Sequence, residues 1–261
     1  MKQFILEKEP DGNGLIRFEG DDYRYLARVR RLAIGEYFPA LLPDGGEVLV
    51  HVVSVDKKTL TGEITKSVKK IPNLSLPPLV LFQALPKSDK MDIIVRQAAE
   101  GAVAKIVPFV SEFSAVKPDK NTGQKFIRWL RIIKESRQQC GSAVATDICR
   151  PLAIDELFLN WEQMKKQEPG ILGLLFHHVS LQERGLANES LHRYLCKVPE
   201  TVVIAIGPEG GFSPAEAGRF IAAGFKPFTI GDTILRTETA ALYAAAAVRI
   251  ILMERNSWET K

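Results

Sequence analysis

Residues 204–214 read IAIGPEGGFSP, and residues 230–240 read IGDTILRTETA. Each stretch starts as an apolar run, breaks at a glycine and reaches polar residues where a helix can begin. In the first, TVVIAI at 201–206 has the β-branched continuity of a strand buried on both faces. Gly207, Pro208, Glu209, Gly210 and Gly211 follow, and Ser213 with Glu216 forms a capping box that has Pro214 at the first helical position. Glycines in such a loop leave main-chain N–H groups uncovered, so a ligand can approach the backbone closely. In the second, Ile230, Ile234 and Leu235 can form an apolar slot suited to a neutral aromatic ring, and Gly231 permits the turn. Arg236, Thr237, Glu238 and Thr239 then put a cation, two hydroxyls and a carboxylate at the start of the last helix. Taken singly, the first stretch also reads as a glycine-rich turn and the second as a surface Arg–Glu pair. Neither the phosphate-binding G-x-x-x-x-G-K-[ST] pattern nor the G-x-G-x-x-G dinucleotide spacing is present, which disfavours the usual nucleotide sites.

The elements that must position these junctions show a change of rhythm. Up to about residue 70 the chain is rich in short strand-like runs, KQFILE, EYFPALL, EVLVHVVSV and TLTGEIT, with turn signals at DGNG and PDGG. One helical interval, DDYRYLARVRRL, interrupts them with an aspartate at its start. Prolines and polar residues in KKIPNLSLPP at 69–78 end this pattern and mark a boundary, giving expected domains of 1–72 and 73–261. Beyond it, strand and helix alternate: LVLFQAL and a helix from about Ser88, AKIVPFV and a helix over 123–140, ILGLLFHH and LHRYLCK, TVVIAIG and a helix from Ser213, PFTIG and a helix to about 255. This alternation predicts an α/β fold with a mainly parallel sheet covered on both faces, its chemistry lying beyond the C-terminal ends of the strands.

Composition narrows the class. The 261 residues are 46% hydrophobic and 25% charged, a profile that a disordered chain does not have. No run of about 18 apolar residues is available to span a bilayer, so no membrane partner is expected. The opening MKQFILEKEPDG lacks a signal-peptide apolar region, and the expected location is the cytoplasm. Cys140, Cys149 and Cys196 have no zinc-ligand spacing and no companion histidines, so reduced thiols and no metal are expected. A net charge of +4 permits a polyanionic partner without requiring one.

GPEGGFSPAE followed by IGDTILRTETA closely resembles the C-terminal signature of the RsmE family, the 16S ribosomal RNA uridine-N3 methyltransferases of the SPOUT class. ALPKSDKMDIIVRQAAEGAVAKIVPFVSE at 84–112 is similar to the family segment that opens its catalytic domain, ESRQQCG at 135–141 to a glutamine-containing helix, and YRYLARVRRLAIGEYFPALLPDG to its small barrel. The resemblance implies a small N-terminal PUA-like β-barrel that grips RNA and a C-terminal SPOUT α/β domain with a deep trefoil knot. It further implies S-adenosylmethionine as cofactor, held by Leu175, Phe176, Gly207, Pro208, Glu209 and Gly210 from the earlier loops. Ile230, Gly231, Ile234, Leu235, Arg236, Thr237 and Thr239 complete that expected set from the last loop. The implied partners are 16S ribosomal RNA or the small ribosomal subunit, and a second copy of the chain in a homodimer. An RNA-binding protein that keeps this fold without activity is the alternative.

Within that frame, methyl transfer to a uridine N3 requires the imide proton to leave. Arg236 is the candidate for stabilising charge on the uracil carbonyl oxygen, and Glu238 for accepting the proton or orienting Arg236. Arg24, Arg28, Arg30 and Arg31 cluster with Tyr23 and Tyr25, giving positive charge beside rings that can stack on bases, or a solvated helix face. Lys87 and Lys90 are placed for phosphate contacts, or are surface lysines. Gln139 can hydrogen-bond backbone or RNA, and His177 and His178 follow a strand end near the cofactor edge. Six alanines between Ala240 and Ala247, followed by Val248, Ile250, Ile251 and Leu252, suit a last helix that packs against a partner.

Overall fold

The computed structural model describes residues 4–6, 8–43, 45–67, 76–115, 122–177, 190–229, 231 and 233–258. The boundary stretch around 69–75, His178 and Ile230 therefore lie outside the described residues. The chain divides into two compact units, residues 1–73 with 134–145, and residues 74–133 with 146–261.

In the first unit, β1 (Phe4–Ile5), β2 (Leu15–Phe18), β3 (Tyr37–Leu41), β4 (Glu47–Val55) and β5 (Leu60–Ser67) form one sheet in the order β1-β3-β4-β5-β2. Only the β1–β3 pairing is parallel. Valines at alternate positions 48, 50 and 52 of β4 are buried, as the two-residue period of a half-covered strand dictates. Register shifts at Leu49/Val50 and Val52/Ser54 bend the long strands. The DGNG turn forms because the Asp11 carboxylate accepts hydrogen bonds from the N–H groups of Asn13 and Leu15, both at 2.9 Å. The helical interval is α1 (Gly20–Tyr23), which continues as a π-helical turn over Arg24–Val29. Its start has no side-chain cap, unlike the expected aspartate cap. Leu26 and Tyr23 enter a core with Phe4, Phe18, Phe38 and Leu60.

The second unit alternates as expected and adds a helix. Its elements are β6 (Leu79–Ala84), α2 (Lys90–Glu100), β7 (Lys105–Val110), α3 (Thr122–Cys140), β8 (Asp147–Ile148), β9 (Leu152–Ala153) and α4 (Ile154–Gln167). They continue with β10 (Leu172–Phe176), α5 (Leu191–Leu195), β11 (Val202–Ile206), α6 (Pro214–Ala222), β12 (Lys226–Phe228) and α7 (Thr237–Trp258). The strands pair in parallel in the order β12-β10-β11-β6-β7-β8, with β9 also beside β7. The end of α3 falls in the first unit, where Lys134 Nζ pairs with Asp22 at 2.9 Å.

Every residue of β6 and β11 is buried, so both of their faces are covered. Leu79, Leu81, Val202 and Ile204 face a core built with Val95, Trp129 and Val248 of the helices α2, α3 and α7. Val80, Phe82, Val203 and Ala205 face another built with Leu157, Trp161 and Phe220 of α4 and α6. Each such aliphatic side chain contributes about 1.5–3 kcal/mol by leaving water, which sets the rigidity of the frame from which the loops project. Helix α4 is absent from the sequence-level alternation, although Leu157, Trp161 and Met164 recur at helical spacing.

Candidate functional site

The two glycine junctions meet at the C-terminal ends of β6 and β11. Strand β11 ends at Ile206, and the carbonyl of Gly207 accepts a 2.7 Å hydrogen bond from the hydroxyl of Thr237, the first residue of α7. The same hydroxyl accepts a 3.1 Å bond from Gln83 Nε2, whose other proton goes to the carbonyl of Ala84 at 2.9 Å. Gln83 and Thr237 are both buried. A glutamine in an otherwise apolar strand needs buried partners, and Gln83 Nε2 finds them by joining three segments, while its buried Oε1 has no hydrogen-bond partner among the described residues. It is absent from the sequence-derived set, and its visible signal is one polar residue in LVLFQAL.

The Ser213–Glu216 capping box forms as the sequence requires: Ser213 Oγ accepts from Glu216 N at 3.2 Å, and Glu216 Oε2 accepts from Ser213 N at 3.1 Å. Glu216 is buried and does more than cap. Its carboxylate also accepts from Ser111 Oγ at 3.0 Å and from Glu112 N at 2.9 Å, which ties the end of β7 to the start of α6.

Glu209 turns towards α2. Its carboxylate accepts from the N–H of Lys87 at 3.1 and 3.3 Å and pairs with Lys90 Nζ at 2.8 Å. Lys90 also lies 3.8 Å from Glu238 Oε2, so one ammonium group faces a carboxylate from each junction. Burial pushes the Glu209 carboxyl up, but the hydrogen bonds from Lys90 and from the N–H groups of Glu209 and Lys87 bring it below its ordinary value. The hydrogen bond to Glu209 in turn raises Lys90 above its ordinary value, against its own desolvation and the nearby Arg236 charge. Lys90 is thus occupied by carboxylates rather than presented for phosphate.

The remaining expected residues distribute as follows. Pro208 is buried, Gly210 and Arg236 are exposed, and Leu235 and Thr239 are half-buried. Arg236 makes no ion pair among the described residues, and Glu238 is engaged with Lys90. Ile234 is 75% exposed. Leu175 is fully buried in the core on the α4 and α6 side, and Phe176 lies on the opposite face, edge-on to Phe228. His177 is buried at the end of β10, its N–H donating to Phe228 O at 3.2 Å. Gly211 and Gly231 have φ of 70° and 62°, a conformation that glycine adopts without strain. A Cβ on Gly207 would come within 3.0 Å of the Gly211 main chain, whereas one on Gly231 would meet nothing within 4 Å.

In the first unit Arg24, Arg28 and Arg31 are exposed. Arg30 instead lies half-buried over the Phe38 ring at 5.6 Å. The expectation that Tyr23 and Tyr25 offer free rings is corrected. Tyr23 is buried with its hydroxyl donating to Asp56 O at 2.9 Å, and Tyr25 stacks on Phe4 with centroids 6.0 Å apart. The apolar barrel interior buries Tyr23 at the end of α1 and half-buries Tyr25 in the π-helical turn. No helix among the described residues is long and apolar enough to cross a membrane, and no cluster of metal-ligating side chains occurs among them.

Two family matches define the class. Residues 73–249 match the RNA methyltransferase domain, and residues 18–65 match the RNA methyltransferase PUA domain. The ribosomal RNA small subunit methyltransferase E of Synechocystis is 31% identical over 230 residues, spanning 87% of this chain and 70% of that protein. Its counterpart in Aquifex aeolicus is 30% identical over 241 residues, 91% of this chain and 95% of that one. The chain belongs to this family, the ribosomal RNA small subunit methyltransferases E. A protein described as a methyltransferase of Legionella pneumophila, solved with bound S-adenosylmethionine, shares the fold at a TM-score of 0.76 and 26% identity, over 95% of this chain and 97% of that one. The Neisseria gonorrhoeae ribosomal RNA small subunit methyltransferase E, also bound to S-adenosylmethionine, gives a TM-score of 0.75 at 22% identity, covering 96% and 98% of the two chains.

Proposed function

We propose that the protein transfers the methyl group of S-adenosylmethionine to N3 of a uridine in 16S ribosomal RNA, acting as a cytoplasmic homodimer. The observation that carries this reading is the hydrogen-bonded meeting of the two glycine junctions through Gly207, Thr237 and Gln83 at the C-terminal edge of the sheet. The residues present fit such a cofactor. Glycine-rich main chain at 207–211, open space beside Gly231 and the exposed Ile234 suit a ligand with an apolar ring and polar edges. Gly207, Pro208, Gly210, Gly231, Leu235 and Thr239 would hold it, with Leu175 and Phe176 reaching it mainly through the main chain of β10. Thr237 and Glu209 act one step away, by fixing the loops.

When bound, the cofactor supplies an electrophilic methyl group on sulfur. The chain's task is to place the uracil edge in line with it, since positioning is worth up to about 7–11 kcal/mol of barrier in favourable cases. Arg236, exposed and without an ion pair among the described residues, stabilises the charge that develops on a uracil carbonyl oxygen as the N3 proton leaves. Glu238 is the candidate to accept that proton or to orient Arg236; its Oε2 is buried without a hydrogen bond, 3.8 Å from Lys90 Nζ. We propose further that the loops pass through one another as a trefoil knot, and that Arg24, Arg28, Arg31 and Lys87 bind RNA phosphates.

The test is transfer of labelled methyl groups to small subunits lacking the modification, followed by nucleoside analysis. The wild-type protein should yield N3-methyluridine, and Arg236→Ala should lower turnover by roughly 100-fold or more, the scale of losing one charge-stabilising group. Absence of N3-methyluridine with wild-type protein would refute the reading, and an active Arg236→Ala would remove Arg236 from the mechanism.

A further inference from the structure

Ser111–Ser114, immediately after β7, forms a tight turn whose middle projects an aromatic ring into solvent. Ser114 N donates to Ser111 O at 3.0 Å, Ser111 N donates to Ser114 Oγ at 3.1 Å, and both serines are buried. The buried carboxylate of Glu216 grips the same turn through Ser111 Oγ and Glu112 N. This anchoring holds Phe113, which is 46% exposed. The inner part of its side chain rests on the glycine loop: a Cβ on Gly210 would lie 3.0 Å from Phe113 Cβ and 3.4 Å from Cγ. On the same loop, Glu209 holds the N–H of Lys87, whose side chain is exposed.

We infer that Phe113 is a substrate-positioning residue whose exposed ring stacks on a nucleobase of the RNA, next to the site of methyl transfer. The inference rests on the proposed function for the identity of the substrate. A single exposed ring, next in sequence to the charged Glu112 and resting on the loop that holds Lys87, offers too little apolar area for a protein partner. A nucleobase needs only one flat face, and stacking tolerates any base. A ring and a cation flanking residues 209–210 match the two chemistries of a nucleotide, base and phosphate. The rigid turn supplies preorganisation, because little side-chain freedom is left to lose on binding. Gly210 has a second reason to be small besides leaving the main chain uncovered: a Cβ there would press on the Phe113 side chain.

The experiment compares Phe113→Leu, Phe113→Trp and Lys87→Ala in the full chain, measuring affinity for 16S ribosomal RNA against salt and affinity for S-adenosylmethionine. Leucine keeps Cβ and Cγ, the atoms that rest on Gly210, and loses only the aromatic face. Phe113→Leu should bind RNA about 5- to 100-fold more weakly with an unchanged salt slope, and bind the cofactor as wild type does. Phe113→Trp should retain RNA affinity, and Lys87→Ala should reduce the salt slope by about one. Unchanged RNA affinity in Phe113→Leu, or a parallel loss of cofactor affinity, would overturn the inference. Binding is read without turnover, so a wild-type protein that transfers no methyl group would refute the proposed function while Phe113→Leu still decides the role of the ring.

Discussion

At the scale of single residues, the ion pairs around Lys90 set how the site responds to pH. Glu209 is held below its ordinary value of 4.5, so the stabilisation it contributes is present above that value and is lost as pH falls through its lower value in the folded protein. Lys90 is raised above 10.5, so its contribution is complete below that value and fails only in strong alkali. Cofactor affinity should therefore be flat across neutral pH and fall only in acid. Glu209→Gln, which keeps an acceptor but loses the charge, should weaken S-adenosylmethionine binding by about fivefold, allowing for partial exposure of the pair, and should remove the acid-side fall. Calorimetry between about pH 3 and pH 8 checks both. The glycine junctions and the capping residues were legible because their types admit few local geometries. The Lys90–Glu209 pair was not, because nothing in the spacing of these residues says that a helix start and a loop more than a hundred residues apart will face each other.

At the scale of elements, α7 shows how a sequence pattern and a buried face divide the work. Ala241, Ala244, Ala245, Val248 and Leu252 are buried against the sheet and α2. Leu242, Tyr243, Ile250 and Met253 are exposed, and with Ala246 they recur at intervals that place them along one side of the helix. This stripe is what the proposed homodimer would cover. Ile250 is 52% exposed in a single chain, so Ile250→Asp leaves the fold intact and should convert a dimer to a monomer of 29.0 kDa in sedimentation. A monomeric wild type would refute the assembly. The strand-helix alternation was readable because β6 and β11 are apolar throughout, as strands covered on both sides must be. Helix α4 escaped because its apolar positions are separated by charges and its start has alanine at the cap, leaving Glu156 Oε2, which accepts from Ala153 N at 2.8 Å, as the main boundary signal.

At the scale of the whole molecule, the two units separate the proposed tasks of gripping RNA and holding the cofactor. Arg28 and Arg31 lie exposed on the first unit, while every residue of the meeting junctions belongs to the second. The double variant Arg28→Ala with Arg31→Ala should lower RNA affinity and reduce the salt slope by about two, leaving S-adenosylmethionine affinity unchanged in calorimetry. Arg30 is excluded from this test because its guanidinium lies on Phe38, so its removal would disturb the barrel core as well. The positions of Tyr23 and Tyr25 in that core were not legible, since a polar ring next to arginines reads equally as surface until the barrel interior is known.

The hydrogen bond from Gln83 to Thr237 spans 154 residues of sequence. Contacts this distant form only after the intervening chain has found its own arrangement, because closing so long a loop costs entropy that only the assembled structure offsets. The junction that shapes the ligand pocket therefore depends on the β6–β11 pairing, itself a contact between distant segments, and should close together with it or after it. Until that contact closes, a chain has no formed pocket for the cofactor. Binding, once possible, would draw the population towards the finished form by mass action.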